Sequence, residues 1–81
     1  MPKPTKPSLE LGFGPTVRQH RERAVPSQEE LGYRADRHRM YVSMLEPDER
    51  CPSLETIAKV ARALDTKASA LVAAWEKSVG T

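Results

Sequence analysis

Apolar residues along this chain recur at three- and four-residue spacing, and no stretch alternates long enough to make a strand, so the pattern predicts short helices. Pro15 suits a first helical turn, and the strongly helix-forming run Thr16 to Ala24 follows it. Pro26 ends that run by disfavouring helix at Val25. Ser27-Gln28-Glu29-Glu30 has the form of a capping box and opens a second helix through about Arg34. After the gap Ala35-Asp36-Arg37, a third helix is expected near Arg39 to Glu46. Pro47-Asp48 and Cys51-Pro52 bracket a turn. Ser53 is a credible N-cap for a fourth helix carrying Leu54, Ile57, Ala61 and Leu64 at helical spacing. Asp65-Thr66 breaks it, and a fifth runs from about Lys67 to Ser78 with Ala68, Leu71, Val72, Trp75 and Val79 on one stripe. The expected fold is all-α, a compact five-helix bundle over residues 13–81. Residues 1–12, where Pro2, Pro4 and Pro7 alternate with Lys3, Thr5, Lys6 and Ser8, are expected to form a flexible Pro/Lys-rich arm.

The second and third helices carry a more specific pattern. Counting Gln28 as the first position, the fourth is Leu31, which must enter the core, and the fifth is Gly32, small enough to let two helices approach. The eighth is Ala35, again small and inward. The ninth, Asp36, falls where the turn demands a left-handed backbone; glycine is favoured there, and Asp tolerates it better than most residues. Val42 and Leu45 form the inner face of the helix that follows. Two short helices joined by a three-residue turn, with apolar residues at these offsets, make a helix-turn-helix unit.

Composition bounds the rest. A chain of 81 residues, 38% hydrophobic and 30% charged, holds one small domain, which is marginal alone and suits a dimer. The formal charge is only +2, but Arg18, Arg21, Arg23, Arg34, Arg37 and Arg39, with His20 and His38, crowd one stretch. Such a cluster is either an electrostatic footprint for phosphate or a solvated face. Cys51 is the only cysteine, which excludes an intrachain disulfide and fits a reducing cytosol. No apolar segment follows the basic N-terminus as in a signal peptide, and none approaches the roughly 18 residues of a spanning helix, so no membrane association and a cytoplasmic location are expected. His20 and His38 have no Cys or His partner at ligand spacing, so neither metal nor other cofactor is expected. Without a Ser/His/Asp constellation or a phosphate loop, the chain is not expected to be an enzyme or to take a small-molecule substrate.

The blocks Ser27 to Leu31 (SQEEL), Ala35, Tyr41 to Glu46 (YVSMLE) and Pro52 to Leu64 (PSLETIAKVARAL) carry a family resemblance. From Phe13 to about Leu71 the chain resembles the Cro and phage-repressor helix-turn-helix family, also called the xenobiotic-response-element type, whose members have the lambda-repressor-like fold. Within it, restriction–modification controller proteins are similar in length and in the recognition-helix pattern seen here as HRMYVS; phage and plasmid repressors and antitoxins share these features. The resemblance implies a bacterial, phage- or plasmid-encoded transcriptional regulator that binds double-stranded DNA as a homodimer on a pseudo-palindromic operator. The alternative is an antitoxin or other protein-binding helix-turn-helix module. By the same resemblance the third helix enters the major groove, with Arg39, Met40, Ser43 and Met44 facing the bases. Arg39 can form a bidentate pair with guanine, worth about 1–3 kcal/mol of discrimination. Met40 and Met44 can pack on thymine methyls or fill the core; since Val42 and Leu45 already supply the inner face, they are read as outward. Ser27, Gln28 and His38 fall where the family contacts phosphate, and Arg21 and Glu46 match a pair that forms a buried interhelical salt bridge.

Four departures from the family pattern stand out. His20 replaces a Leu, and Arg37 replaces an apolar residue in the turn; both would add positive charge near DNA, which makes Arg37 a further phosphate-contact candidate. Val25-Pro26 replaces Gly-Leu, and Pro47-Asp48 takes the place of a residue followed by Gly. Trp75 has two readings: it caps the monomer core, or it builds a dimer contact with Leu71 and Val72, since interfaces favour such residues.

Overall fold

The computed structural model describes residues 12–25 and 27–79. The arm assigned to residues 1–12, apart from Gly12, lies outside the described residues, as does Pro26. The chain folds as α1 (Phe13–Ala24), α2 (Gln28–Arg34), α3 (Arg39–Leu45), α4 (Leu54–Ala63) and α5 (Ala68–Ser78), with no strand among the described residues. Leu31, Val42, Leu45, Val17, Val60 and Leu71 are the largest side chains fully removed from solvent, so every helix contributes to one core. Val25, 3% exposed, belongs to that core, so the Val25-Pro26 departure keeps an apolar anchor between α1 and α2.

Three helices end by one device. Asp36, Asp48 and Asp65 adopt left-handed backbone with φ of 58°, 66° and 60°. After α2, Arg37 N–H donates to Gly32 O at 2.7 Å and Asp36 N–H to Tyr33 O at 3.3 Å. After α3, Glu49 N–H donates to Met44 O and Asp48 N–H to Leu45 O; after α4, Thr66 N–H donates to Ala61 O and Asp65 N–H to Arg62 O. This paired closure of orphan carbonyls is the Schellman arrangement, which usually takes glycine at the left-handed position. Aspartate fills it three times here, and Asp48 does so where the family pattern has Gly.

Asp48 also reaches across the molecule. Its carboxylate accepts from Gly12 N–H at 2.8 Å and Gly14 N–H at 2.9 Å, satisfying the opening turn of α1 from a residue more than thirty positions away. This moves the start of α1 back to Phe13, ahead of the Pro15 start expected from local signals. Pro15 then sits inside the first turn, where its missing N–H leaves no bond unmade. Gly14 is required there: a Cβ on it would lie 2.0 Å from Leu45 O and 2.5 Å from Glu46 O, so α1 and the end of α3 meet backbone to backbone.

Two local expectations are corrected. Ser27 Oγ accepts from Glu30 N–H at 3.0 Å, but the Glu30 carboxylate turns outward to Arg34 Nε at 2.8 Å, so the reciprocal half of the capping box is not made. Leu54, placed with Ile57, Ala61 and Leu64 by spacing, is 78% exposed. It occupies the first turn of α4, one side of which is taken up by Ser53 Oγ bonding to Thr56 N–H, and the buried face runs through Thr56, Val60, Ala61, Ala63 and Leu64.

Candidate nucleic-acid interface

α3 is held from within and bare outside. Val42 and Leu45 are fully buried, and Tyr41 packs against the core with Arg50 above its ring at 5.8 Å. Its opening turn is capped by His38, whose Nδ1 accepts from Met40 N–H at 3.0 Å. On the outer face Arg39 is followed four residues on by Ser43, and Met40 by Met44, which sets two adjacent rows along the helix. Arg39 is exposed, and among the described residues nothing pairs with it. Met40 is 58% exposed, while Ser43 and Met44 are half-buried and outside the core; Ser43 Oγ donates to Met40 O at 2.9 Å.

Half of the arginine cluster is paired with carboxylates. Arg18 pairs with Glu22 and Arg34 with Glu30, both on exposed helix faces where such pairs contribute little. Arg21 forms a two-bonded pair with Glu46, Nε–Oε2 2.6 Å and Nη2–Oε1 3.2 Å, between α1 and the end of α3. The Glu46 side chain is only 2% exposed and that of Arg21 12%. The hydrogen bond to Glu46, opposed by desolvation, raises the Arg21 pKa further above its ordinary value. Gln28 Nε2 donates to Glu46 Oε1 at 2.8 Å and completes the cluster.

The other positions singled out by sequence are distributed differently from expectation. Ser27 Oγ serves as the α2 cap, and the Gln28 amide turns inward to Glu46, so Gln28 has its main chain rather than its side chain at the surface end of α2. The Arg37 guanidinium donates from Nη1 to Asp36 O and from Nη2 to Thr56 Oγ1, both at 2.9 Å, which directs it toward α4. His20 Nδ1 lies 2.9 Å from Thr16 O, so the ring bonds its own helix where a leucine was expected. On α5, Leu71 is fully buried in the protomer and supplies no contact surface, a correction to its grouping with Val72 and Trp75. Trp75 is half-buried and meets Phe13 edge to face at 6.3 Å and 78°, so it packs on α1 as well as facing outward; Val72 is half-buried beside it. Sequence reasoning missed Asp48 and Thr56. The signal for Asp48 was its Pro-Asp departure, but no local pattern tells which distant N–H groups a carboxylate will cap.

This geometry, a short helix presented by a left-handed turn and a buried ion-pair cluster, defines a helix-turn-helix protein. The chain belongs to the helix-turn-helix family of DNA-binding transcription regulators, whose model matches residues 18–71. It is 41% identical over 58 residues to the control protein C.BamHI of Bacillus amyloliquefaciens, covering 70% of this chain and 72% of that protein. The crystal structure of the restriction–modification controller protein C.AhdI from Aeromonas hydrophila is similar at a TM-score of 0.73 and 35% identity, over 76% of this chain and 94% of that one. The clp gene regulator ClgR from Corynebacterium glutamicum shares the fold at a TM-score of 0.84 and 24% identity, over 91% of this chain and 79% of that one. Among the described residues no helix is long and apolar enough to cross a membrane.

Proposed function

We propose that the protein is a sequence-specific transcriptional regulator of the restriction–modification controller kind, acting as a homodimer on a pseudo-palindromic operator. The carrying observation is Arg39: exposed at the first turn of α3, without a partner among the described residues, beside a core-anchored backbone. An unpaired guanidinium on a helix so held reads guanine O6 and N7 from the major groove. Met40 and Met44 meet thymine methyls, and Ser43 bonds a base edge. Ser27, the main chain of Gln28, and His38 lie at the ends of α2 and α3 and anchor to flanking phosphates. Two copies related by a two-fold axis set their recognition helices about 34 Å apart, one turn of DNA.

Selection of bound duplexes from a random library tests this reading. The expected outcome is a two-fold symmetric motif, and Arg39→Ala blurs it at one position per half-site with a loss of about 1–3 kcal/mol there. Generic binding without enrichment, or a sharp motif that survives Arg39→Ala, overturns the assignment. A steep fall of affinity with added salt is also expected, whereas a module that binds only protein shows no duplex affinity to lose.

The two-fold contact is assigned to the outward sides of Val72 and Trp75 on α5. Sedimentation is expected to show a dimer for the native chain and a monomer for Val72→Asp, with helical circular dichroism unchanged. Trp75→Ala is expected to weaken association too, and also to lower stability, because it removes the edge contact with Phe13. A monomeric native chain, or a dimer indifferent to Val72→Asp, refutes the placement.

A further inference from the structure

Arg37 stands in the turn between α2 and α3, two residues before Arg39, and its main chain is pinned on both sides. Its N–H closes α2 on Gly32 O at 2.7 Å, and a Cβ on Gly32 would come within 2.6 Å of Arg37 O. Its side chain leaves this fixed point for α4, where Nη2 donates to Thr56 Oγ1 at 2.9 Å. The acceptor is itself buried and hydrogen-bonded. Thr56 is 3% exposed, its N–H bonds Ser53 Oγ at 3.2 Å, and Ser53 Oγ lies 3.1 Å from the same Thr56 Oγ1. Lys59 Nζ, one turn further along α4, lies 3.5 Å from Asp36 Oδ2, a second tie between the same two elements. The Asp36 side chain is 89% exposed, so that tie is screened by solvent and the Arg37 bond is the firmer one.

We infer that Arg37 is a positioning residue for DNA reading: a strut from the turn to the capped end of α4 that sets the angle at which α3 is presented. It does not neutralise a phosphate. A planar guanidinium suits this role because its donors leave in fixed directions, so one group bonds its own turn through Nη1 and the neighbouring helix through Nη2. An apolar side chain at the same place would press on α4 without fixing a direction. The inference rests on the DNA-reading function proposed above and identifies what holds its reading element.

The experiment compares Arg37→Met, Arg37→Lys and the near-isosteric Thr56→Val by their affinity for the selected duplex and for a scrambled one across a salt series. Amide exchange of the free proteins at Arg39 to Tyr41 is measured in parallel. The expected result is that Arg37→Met and Thr56→Val each reduce the preference for the selected duplex by about tenfold, the equivalent of one weakened base contact. The double variant is expected to lose no more than either single one, since the two side chains form one bond. Binding to the scrambled duplex is expected to keep its salt slope in all variants, and α3 exchange to rise with the first two and less with Arg37→Lys. A role in stability alone would leave the preference between duplexes intact below the melting range. If Arg37→Met instead flattens the salt slope by about 0.9, the loss of one phosphate contact, while Thr56→Val changes nothing, the strut is refuted. A native chain that prefers no duplex fails the DNA-reading function itself and is recognised before any variant is made; the exchange data then stand alone, and unchanged exchange at α3 refutes the strut independently.

Discussion

Replacing Glu46 by Ala is expected to lower the melting temperature by more than about 10 °C, at about 4–8 °C per kcal/mol for a domain of this size. The side chain is almost wholly buried and serves two groups at once, both donors of the Arg21 fork and the Gln28 amide. Its removal leaves a guanidinium in a pocket where its own side chain is only 12% exposed. Breaking such a pair from one side costs about 3–5 kcal/mol, while the whole fold is worth about 4–12 kcal/mol at this length. The loss is therefore at least about a quarter of the stability of the fold. The cause is checked by the double variant Arg21→Met, Glu46→Leu, followed by thermal circular dichroism. Replacing both charges with apolar groups of similar volume is often neutral, so most of the loss is expected to return. A double variant as unstable as the single one shows that lost packing at Glu46, and not a stranded charge, is responsible. DNA affinity is expected to follow stability in the single variant, because Glu46 sits at the end of α3.

Gly14→Ala is the second large effect, and it arises from one methyl group. The added Cβ would sit 2.0 Å from Leu45 O and 2.5 Å from Glu46 O. Both obstacles are main chain, so no rotamer change relieves them, and α1 must move off the end of α3. Alanine raises helix propensity by about 1 kcal/mol over glycine in an exposed helix interior. Overpacking costs about 1–3 kcal/mol when side chains can adjust and more when they cannot. The clash outweighs the propensity, and a net loss of about 3 kcal/mol by urea denaturation is the expected result. The displacement also pulls Gly12 and Gly14 N–H from the Asp48 carboxylate, which now lie at 2.8 and 2.9 Å. Gly32→Ala provides an internal scale. Its Cβ would meet Arg37 O at 2.6 Å, a milder conflict with a turn rather than with two helix carbonyls, so a smaller loss is expected. Equal or greater stability of Gly14→Ala would show that α1 and α3 do not cross as closely as described.

Much of the reading element was legible from local pattern. Leu31, Gly32, Ala35, Val42 and Leu45 occupy the buried or close-packed places their offsets implied, and Asp36 has the left-handed backbone demanded of the ninth position. These are rules of spacing and dihedral preference within about twenty residues, and they need no knowledge of what lies across the core. The errors share a different origin. Leu54 has the right spacing and lies outside, because a stripe of about three turns can shift by one residue at its capped end. Leu71 was grouped with Val72 and Trp75 on one stripe, but a stripe has a middle and an edge, and only packing against α1 and α4 decides which is which. Arg37 is a different case: the direction of its side chain depends on a threonine nineteen residues away, which spacing alone does not show.

What the sequence by itself determined is the set of helices after Pro15, the turn that joins α2 to α3, and the residues facing outward from α3. Each follows from periodicity, caps and backbone preference, which act over a few residues. Arg18–Glu22 and Arg34–Glu30 are exposed pairs four residues apart on one helix, which spacing alone allows, whereas tertiary structure alone decided that Arg21 meets the buried Glu46 twenty-five residues away. Arg37 meets Thr56 on α4, and Arg23 and Arg39 meet nothing among the described residues. Six arginines close together in sequence have the same formal charge. They differ in use because electrostatic and hydrogen-bond partners act over a few ångströms in space, and distance in space is set only once the helices have packed.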